Sequence, residues 1–340
     1  MRRSEAAAPV AAALRDWLLS EACRSPAGAF CAWRDAETGR LAFEYPEISG
    51  YALTYAAALD DPGDAEVESA ARAAEWLVRR LRAGDRSARA DWDSGAIYVF
   101  DLAMVASGLV SFGRRYGGGY QIAGLRIVEL LLREAEVIGR IPAVAPGPRT
   151  AHAGWATQGR AHLLKVVQCL LLAGEDAAAA ALIEEADALQ RDDGRFVTET
   201  GSATTMLHPH CYALEGLWIW GVAQEDEDAL DRARRGLAWA FAHQLPDGGL
   251  PRYVLAGGEP GPEQSDATAQ AVRLACLLDE RTPAVERAAE RLEALGRSGA
   301  LPYRPAALPV HENVWATLFA AQALELTHGE RAGLRWSELV

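Results

Sequence analysis

The sequence contains one lysine, Lys165; its other 33 basic residues, of 34 in all, are arginine. That excludes a phosphate-binding P-loop, whose lysine follows a glycine, because Lys165 follows Leu164. Positive charge is scarce overall, and 47 acidic residues give a net charge of -13. A nucleic-acid binder needs a basic footprint to displace counterions, so no nucleic-acid partner is expected. No apolar run approaches the roughly 20 residues of a membrane helix, so no membrane partner is expected either. The Met-Arg-Arg start is followed by alanines, but Glu5, Arg15, Asp16 and Glu21 break up any apolar signal region. Residues 5–23 read instead as a helix of the mature protein. Cysteines are few, odd in number and without a CxxC pair: Cys23, Cys31, Cys169, Cys211 and Cys276. That pattern suits a reducing compartment, and a cytoplasmic location is expected.

What the sequence has is a repeat. Its 340 residues are 50 % apolar and 24 % charged, which excludes disorder. Six segments start with polar or aromatic residues and run on as small, apolar helical sequence. They begin at Tyr45, Ser94, His152, His208, Pro262 and His311. Between them lie amphipathic helices rich in Arg and Glu, at roughly 5–23, 65–83, 121–137, 177–190, 226–243 and 283–295. Their apolar residues recur at helical spacing, as in Ala74, Leu77, Val78 and Leu81. Each amphipathic helix runs into a turn and a short extended piece, for example Gln244-Leu-Pro-Asp-Gly-Gly-Leu.

Periods of about fifty residues signal a repeat architecture. Helices apolar on nearly all sides must be buried, and helices with one apolar stripe belong outside. An inner ring of six helices within an outer ring of six satisfies both demands. The fold class expected is all-α, an (α/α)6 toroid formed as one domain over 1–340. An open α-solenoid would need polar capping repeats, and the last inner helix, 311–327, is as apolar as the rest.

In such a ring all six inner helices start at one end, with free N–H groups pointing into the mouth. The residues mounted there converge: Glu47 and Tyr51; Tyr98 and Asp101; His152, Trp155 and Gln158; His208, His210 and Tyr212; Glu263, Gln264 and Asp266; His311, Glu312 and Trp315. Preceding loops add Trp92, Arg149, Arg252 and Arg304. Aromatic faces, carboxylates and neutral hydrogen-bonding groups suit a sugar cleft, where rings stack and polar groups hold hydroxyls. Asp101 lies one turn inside an apolar helix, where an unpaired carboxylate is costly, and is the best candidate acid. Asp266 or Glu312 is its expected partner across the ring, for hydrolysis. His210 with His311, or a histidine with Tyr51, suits epimerisation. Arg149, Arg252 and Arg304 are candidates to hold a uronate carboxylate. Neither metal nor cofactor is expected. Asp60-Asp61-Pro-Gly-Asp64 matches the DDxxD pattern of prenyl diphosphate chemistry, but its Pro-Gly makes it a turn at the opposite end.

Tyr45-Pro-Glu-Ile-Ser-Gly-Tyr, the Asp-Gly-Arg-Phe turn followed by His-x-His-x-Tyr-Ala-Leu-Glu-Gly-Leu, and Gln264-Ser-Asp-Ala-Thr-Ala-Gln resemble the six-hairpin glycosidase superfamily. The nearest likeness is to its exopolysaccharide-locus proteins. The resemblance covers about 25–327. It implies the toroid and a carbohydrate-active enzyme, a hydrolase or epimerase, in polysaccharide or secondary-metabolite biosynthesis. The expected partner is a small-molecule or oligosaccharide substrate, and the expected state is a monomer or homodimer. The same ring serves terpene cyclases, one alternative; a non-catalytic glycan-binding or scaffold protein is the other.

Overall fold

The computed structural model describes residues 8–82, 96–145, 153–329 and 333–340. Six helical hairpins follow one another, each an outer helix and then an inner one. The first two are α1 (Ala8–Leu19) with α2 (Pro46–Ala58), and α3 (Asp64–Arg82) with α4 (Val99–Tyr116). In the third, α5 (Tyr120–Ile138) is outer, and the inner member is broken into α6 (Trp155–Gln158), a 3-10 segment (Ala161–Val166) and α7 (Val167–Ala173). In the fourth, α8 (Asp176–Glu184) and α9 (Ala186–Leu189) precede α10 (Leu207–Gln224). The last two are α11 (Glu227–Ala242) with α12 (Ser265–Leu277), and α13 (Pro283–Gly296) with α14 (Val314–His328).

The division of labour follows from the residues. Every residue of α2 is buried, whereas α3 buries only a stripe through Ser69, Ala70, Ala73, Ala74, Trp76 and Leu77. The inner helices touch in chain order, and α14 packs against α2, so the ring closes. That contact excludes the open solenoid. The N-terminal α1 seals the seam by packing on α13 and α14. Glycine allows a close crossing: a Cβ on Gly108 of α4 would lie 2.2 Å from the Gly50 carbonyl oxygen of α2.

Short strands rim the mouth. β1 (Trp33–Asp35) and β4 (Leu301–Pro302) flank β5 (His311–Asn313), all antiparallel. β2 (Thr205–Met206) pairs with β3 (Tyr253–Val254). From the far end, residues 333–340 enter the lumen, where Leu339 and Val340 are fully buried. Gln168 Nε2 donates to the carbonyls of Trp336 and Leu339, and Gln322 Nε2 to that of Glu338. Asp60 and Asp61 are exposed in the bend between α2 and α3, at the end opposite the mouth. No helix among the described residues is long and apolar enough to cross a membrane.

Candidate active site

The starts of the inner helices enclose a cavity of about 200 Å³. β1 supplies Trp33, the loop ahead of α2 supplies Phe43 and Tyr45, and α2 supplies Glu47. Tyr98, Phe100 and Asp101 come from the start of α4. Trp155, Ala156 and His162 come from the broken third inner helix, His208 and Tyr212 from α10, and Tyr303 and Trp315 from the last hairpin. A second compartment of about 310 Å³ shares Trp33, Tyr303 and Trp315 and opens outward past Arg304, His311 and Asn313. There His311 stacks on Trp33, centroids 5.1 Å apart and planes 14° apart. A larger apolar cavity, about 440 Å³, lies on the flank between α3 and α5, but no acid–base group other than Arg82 and Arg126 lines it among the described residues.

Ring order decides what faces what. Of the six inner positions α2 is first and α10 fourth, so Glu47 and His208 face each other across the lumen. Likewise α4 is second and α12 fifth, which sets Asp101 opposite Asp266. The contact of Tyr51 with Tyr212, OH to OH at 2.9 Å, spans the same gap below the cavity floor.

His208 and Asp266 form a unit. Asp266 is fully buried, and its Oδ2 lies 3.4 Å from His208 Nδ1. The carboxylate is held by three donors: Trp315 Nε1 to Oδ2 at 2.9 Å, and Gln264 Nε2 and the Ala267 amide to Oδ1 at 2.8 and 2.6 Å. His208 packs against Tyr212, with Trp155 edge-on. Beside it His162 meets Phe100 and Trp155, and among the described residues neither of its ring nitrogens has a hydrogen-bond partner. Burial, aided by Arg160 and His208, pushes the His162 imidazole down to about 3, so the ring is neutral at ordinary pH.

Under the floor lies a fully buried ionic cluster. Glu215 pairs with Lys165 Nζ at 2.5 Å and with Arg273. Lys165 also donates to the Val340 carbonyl at 2.7 Å and sits 5.2 Å from the ring centres of both Tyr51 and Tyr212. Burial pushes the lysine down to about 8, against the pull of Glu215. Burial alone would raise Glu215, but Arg273 and Lys165 together hold it below the usual carboxylate range.

The sequence-predicted residues divide by place. Glu47, Tyr98, Asp101, Trp155, His208, Tyr212 and Trp315 line the cavity, and Arg304 and His311 line the outer compartment. Asp266 and Gln264 lie directly behind, and Tyr51 lies beneath. Other predicted residues are not brought to the cavity. His210 faces outward, its Nδ1 accepting the Phe196 amide and its Nε2 bonded to the Gly236 carbonyl. It stands two residues from His208, which on a helix puts it on another face. Glu312 pairs with Arg34 at 2.6 Å because neighbours along β5 point to opposite faces, and His311 and Asn313 take the cavity side. Gln158 is exposed, its amide donating to the Gly154 carbonyl and its own carbonyl accepting from Thr200. Arg252 is half-buried near Tyr303, outside both linings. Trp92, Arg149 and His152 lie outside the described residues. Sequence reasoning missed Trp33, Phe43, Phe100, His162 and Tyr303, all of which line the cavity.

No protein-family model matches the sequence, and no curated protein is similar to it. Solved structures are similar. An unsaturated glucuronyl hydrolase specific for heparin superposes with a TM-score of 0.69 at 14 % identity, over 96 % of this chain and 99 % of that one. Cellobiose 2-epimerase from Bacillus thermoamylovorans gives 0.70 at 12 % identity, over 94 % and 98 %. A type II terpene cyclase from Scytonema gives 0.63 at 14 % identity, over 96 % and 99 %. The (α/α)6 toroid expected from the sequence is the fold of this chain.

Proposed function

We propose that the protein is a carbohydrate-active enzyme that hydrolyses a uronic-acid-containing oligosaccharide by acid–base catalysis at this mouth. One observation carries the reading. A wall bearing two carboxyls, Glu47 and Asp101, faces across the ring a wall bearing an imidazole backed by a carboxylate, His208 and Asp266. A sugar held between them meets a proton donor on one side and a proton acceptor on the other. Asp101 delivers the proton to the leaving oxygen, or to the carbon of a vinyl ether, and His208 takes one from the attacking water. The aromatic rings of the wall stack on the sugar's C–H faces. Arg304, in the outer compartment, is placed to hold a carboxylate of the substrate. The similar glucuronyl hydrolase lends the substrate class.

Epimerisation needs proton-transfer groups on opposite faces of one carbon. The facing walls offer such groups too, but the His210–His311 pair expected for it is broken up, because His210 faces outward, which favours hydrolysis. The terpene-cyclase alternative draws on the aromatic wall and on the similar cyclase from Scytonema. Against it, no Leu, Ile or Val among the described residues lines the deep cavity, and two carboxyls do.

The test is turnover of unsaturated and saturated uronate oligosaccharides by the purified protein and its Asp101→Asn variant. The expected result is hydrolysis by the parent and a loss of roughly 10²-fold or more in the variant, the usual worth of a general acid. Full activity in the variant rejects Asp101 as the acid. Turnover of a polyprenyl diphosphate with no action on sugars rejects the carbohydrate reading.

A further inference from the structure

The buried Lys165, Glu215 and Arg273 do not line the cavity, yet they reach it through one amide. Burying three charges carries a heavy desolvation cost. Glu215 Oε1 accepts a hydrogen bond from Gln270 Nε2 at 3.2 Å. A carboxylate paired with Lys165 and Arg273 is ionised and only accepts, so it selects which end of the Gln270 amide faces it. The amide oxygen is thereby turned to His208 Nδ1, 2.8 Å away. That oxygen also only accepts, so Nδ1 must carry the hydrogen. Asp266 Oδ2, beside the same nitrogen, makes the same demand. In the neutral ring the lone pair is then on Nε2.

We infer that Gln270 is a positioning residue: it passes the orientation imposed by the buried Lys165–Glu215–Arg273 cluster to His208 and leaves Nε2 as the cavity's proton acceptor. The inference deepens the acid–base reading above and rests on it for its catalytic meaning. The titratable groups that face His208 are Asp266 from α12, Tyr212 from its own helix and His162 from the 3-10 segment, with Glu47 and Asp101 across the cavity. Trp155 and Phe319 complete its surroundings without charge.

The experiment reads the imidazole directly. Histidine is labelled with 15N in the full chain, and ring nitrogens are observed by multiple-bond 1H–15N correlation at neutral pH, with no substrate present. The His208 signals are those lost in His208→Gln. The parent is expected to show Nδ1 protonated and Nε2 bare. In Gln270→Leu the ratio of the two tautomers is expected to shift by roughly fivefold or more toward Nε2–H, the loss of one ordinary hydrogen bond. kcat is expected to fall, with KM little changed. Gln270→Met provides the same readout should the Leu variant fail to fold. A parent ring protonated at Nε2 overturns the inference. So does a Gln270 variant with an unchanged tautomer ratio, since Asp266 alone would then orient the ring. The turnover assay can fail without altering this result, so the two readings fail separately.

Discussion

His210 occupies the join of two hairpins with both ring nitrogens engaged, and burial pushes its imidazole down to about 4. His162 is pushed down to about 3. Both rings are neutral when folded and titrate near 6.5 when unfolded, so below that value the unfolded chain binds the extra protons. Their contribution is fully present above about pH 6.5 and is lost as pH falls toward the folded values, at up to about 1.4 kcal/mol per pH unit for each ring. Denaturant midpoints should therefore drop steeply between about pH 6.5 and 5. His210→Gln should flatten that slope; an unchanged slope would show that the His210 ring is not held neutral. At the same scale, the sequence placed residues at the cavity where a helix start carried them, as at Glu47, Asp101, Trp155 and His208. It did not reveal His210's outward turn, because a histidine two residues along a helix offers the same letters and a different face.

At the scale of elements, hydrophobic patterning separated buried helices from one-sided ones, since that pattern is the packing problem itself. It ran out in two places. The third inner helix was expected to start near His152, but it breaks after Gln158 and resumes as a 3-10 segment at Ala161, which brings His162 to the cavity. The break has a local cause: a Cβ on Gly159 would lie 2.0 Å from the Thr198 carbonyl oxygen, a close approach to a distant loop that local sequence does not display. The other place is the rim, where strands of two or three residues have no period to read. Trp33, on β1, therefore carries no sequence signal, and neither does the alternation that sends Glu312 outward and His311 inward. The α2–α4 crossing makes a sharper prediction. Gly108→Ala must push the Gly50 backbone aside, and overpacking of this kind costs about 1–3 kcal/mol. Thermal melting should fall accordingly, whereas an unchanged midpoint would mean the two helices are not in backbone contact.

For the whole molecule, closure of α14 onto α2 turns six separate helix starts into one mouth, and residues 333–340 fill the lumen behind it. That segment supplies the Val340 carbonyl to Lys165 and the carbonyls bound by Gln168 and Gln322. Deleting 333–340 should destabilise the fold by about 3 kcal/mol or more, since a hydrogen bond to a buried charge is worth about 1.5–3 kcal/mol and the burial of Leu339 and Val340 is lost with it. Calorimetry of the shortened chain checks this, and a melt within a degree or two of the parent would show that the lumen does not depend on the segment. The direct test of the acid wall facing the imidazole wall is oligosaccharide cleavage in 18O-labelled water, followed by mass spectrometry. The account predicts that the parent places one 18O atom in the released sugar, and that Asp101→Asn and His208→Gln, both folded, each lose nearly all of that incorporation. Undiminished incorporation in both variants would contradict it.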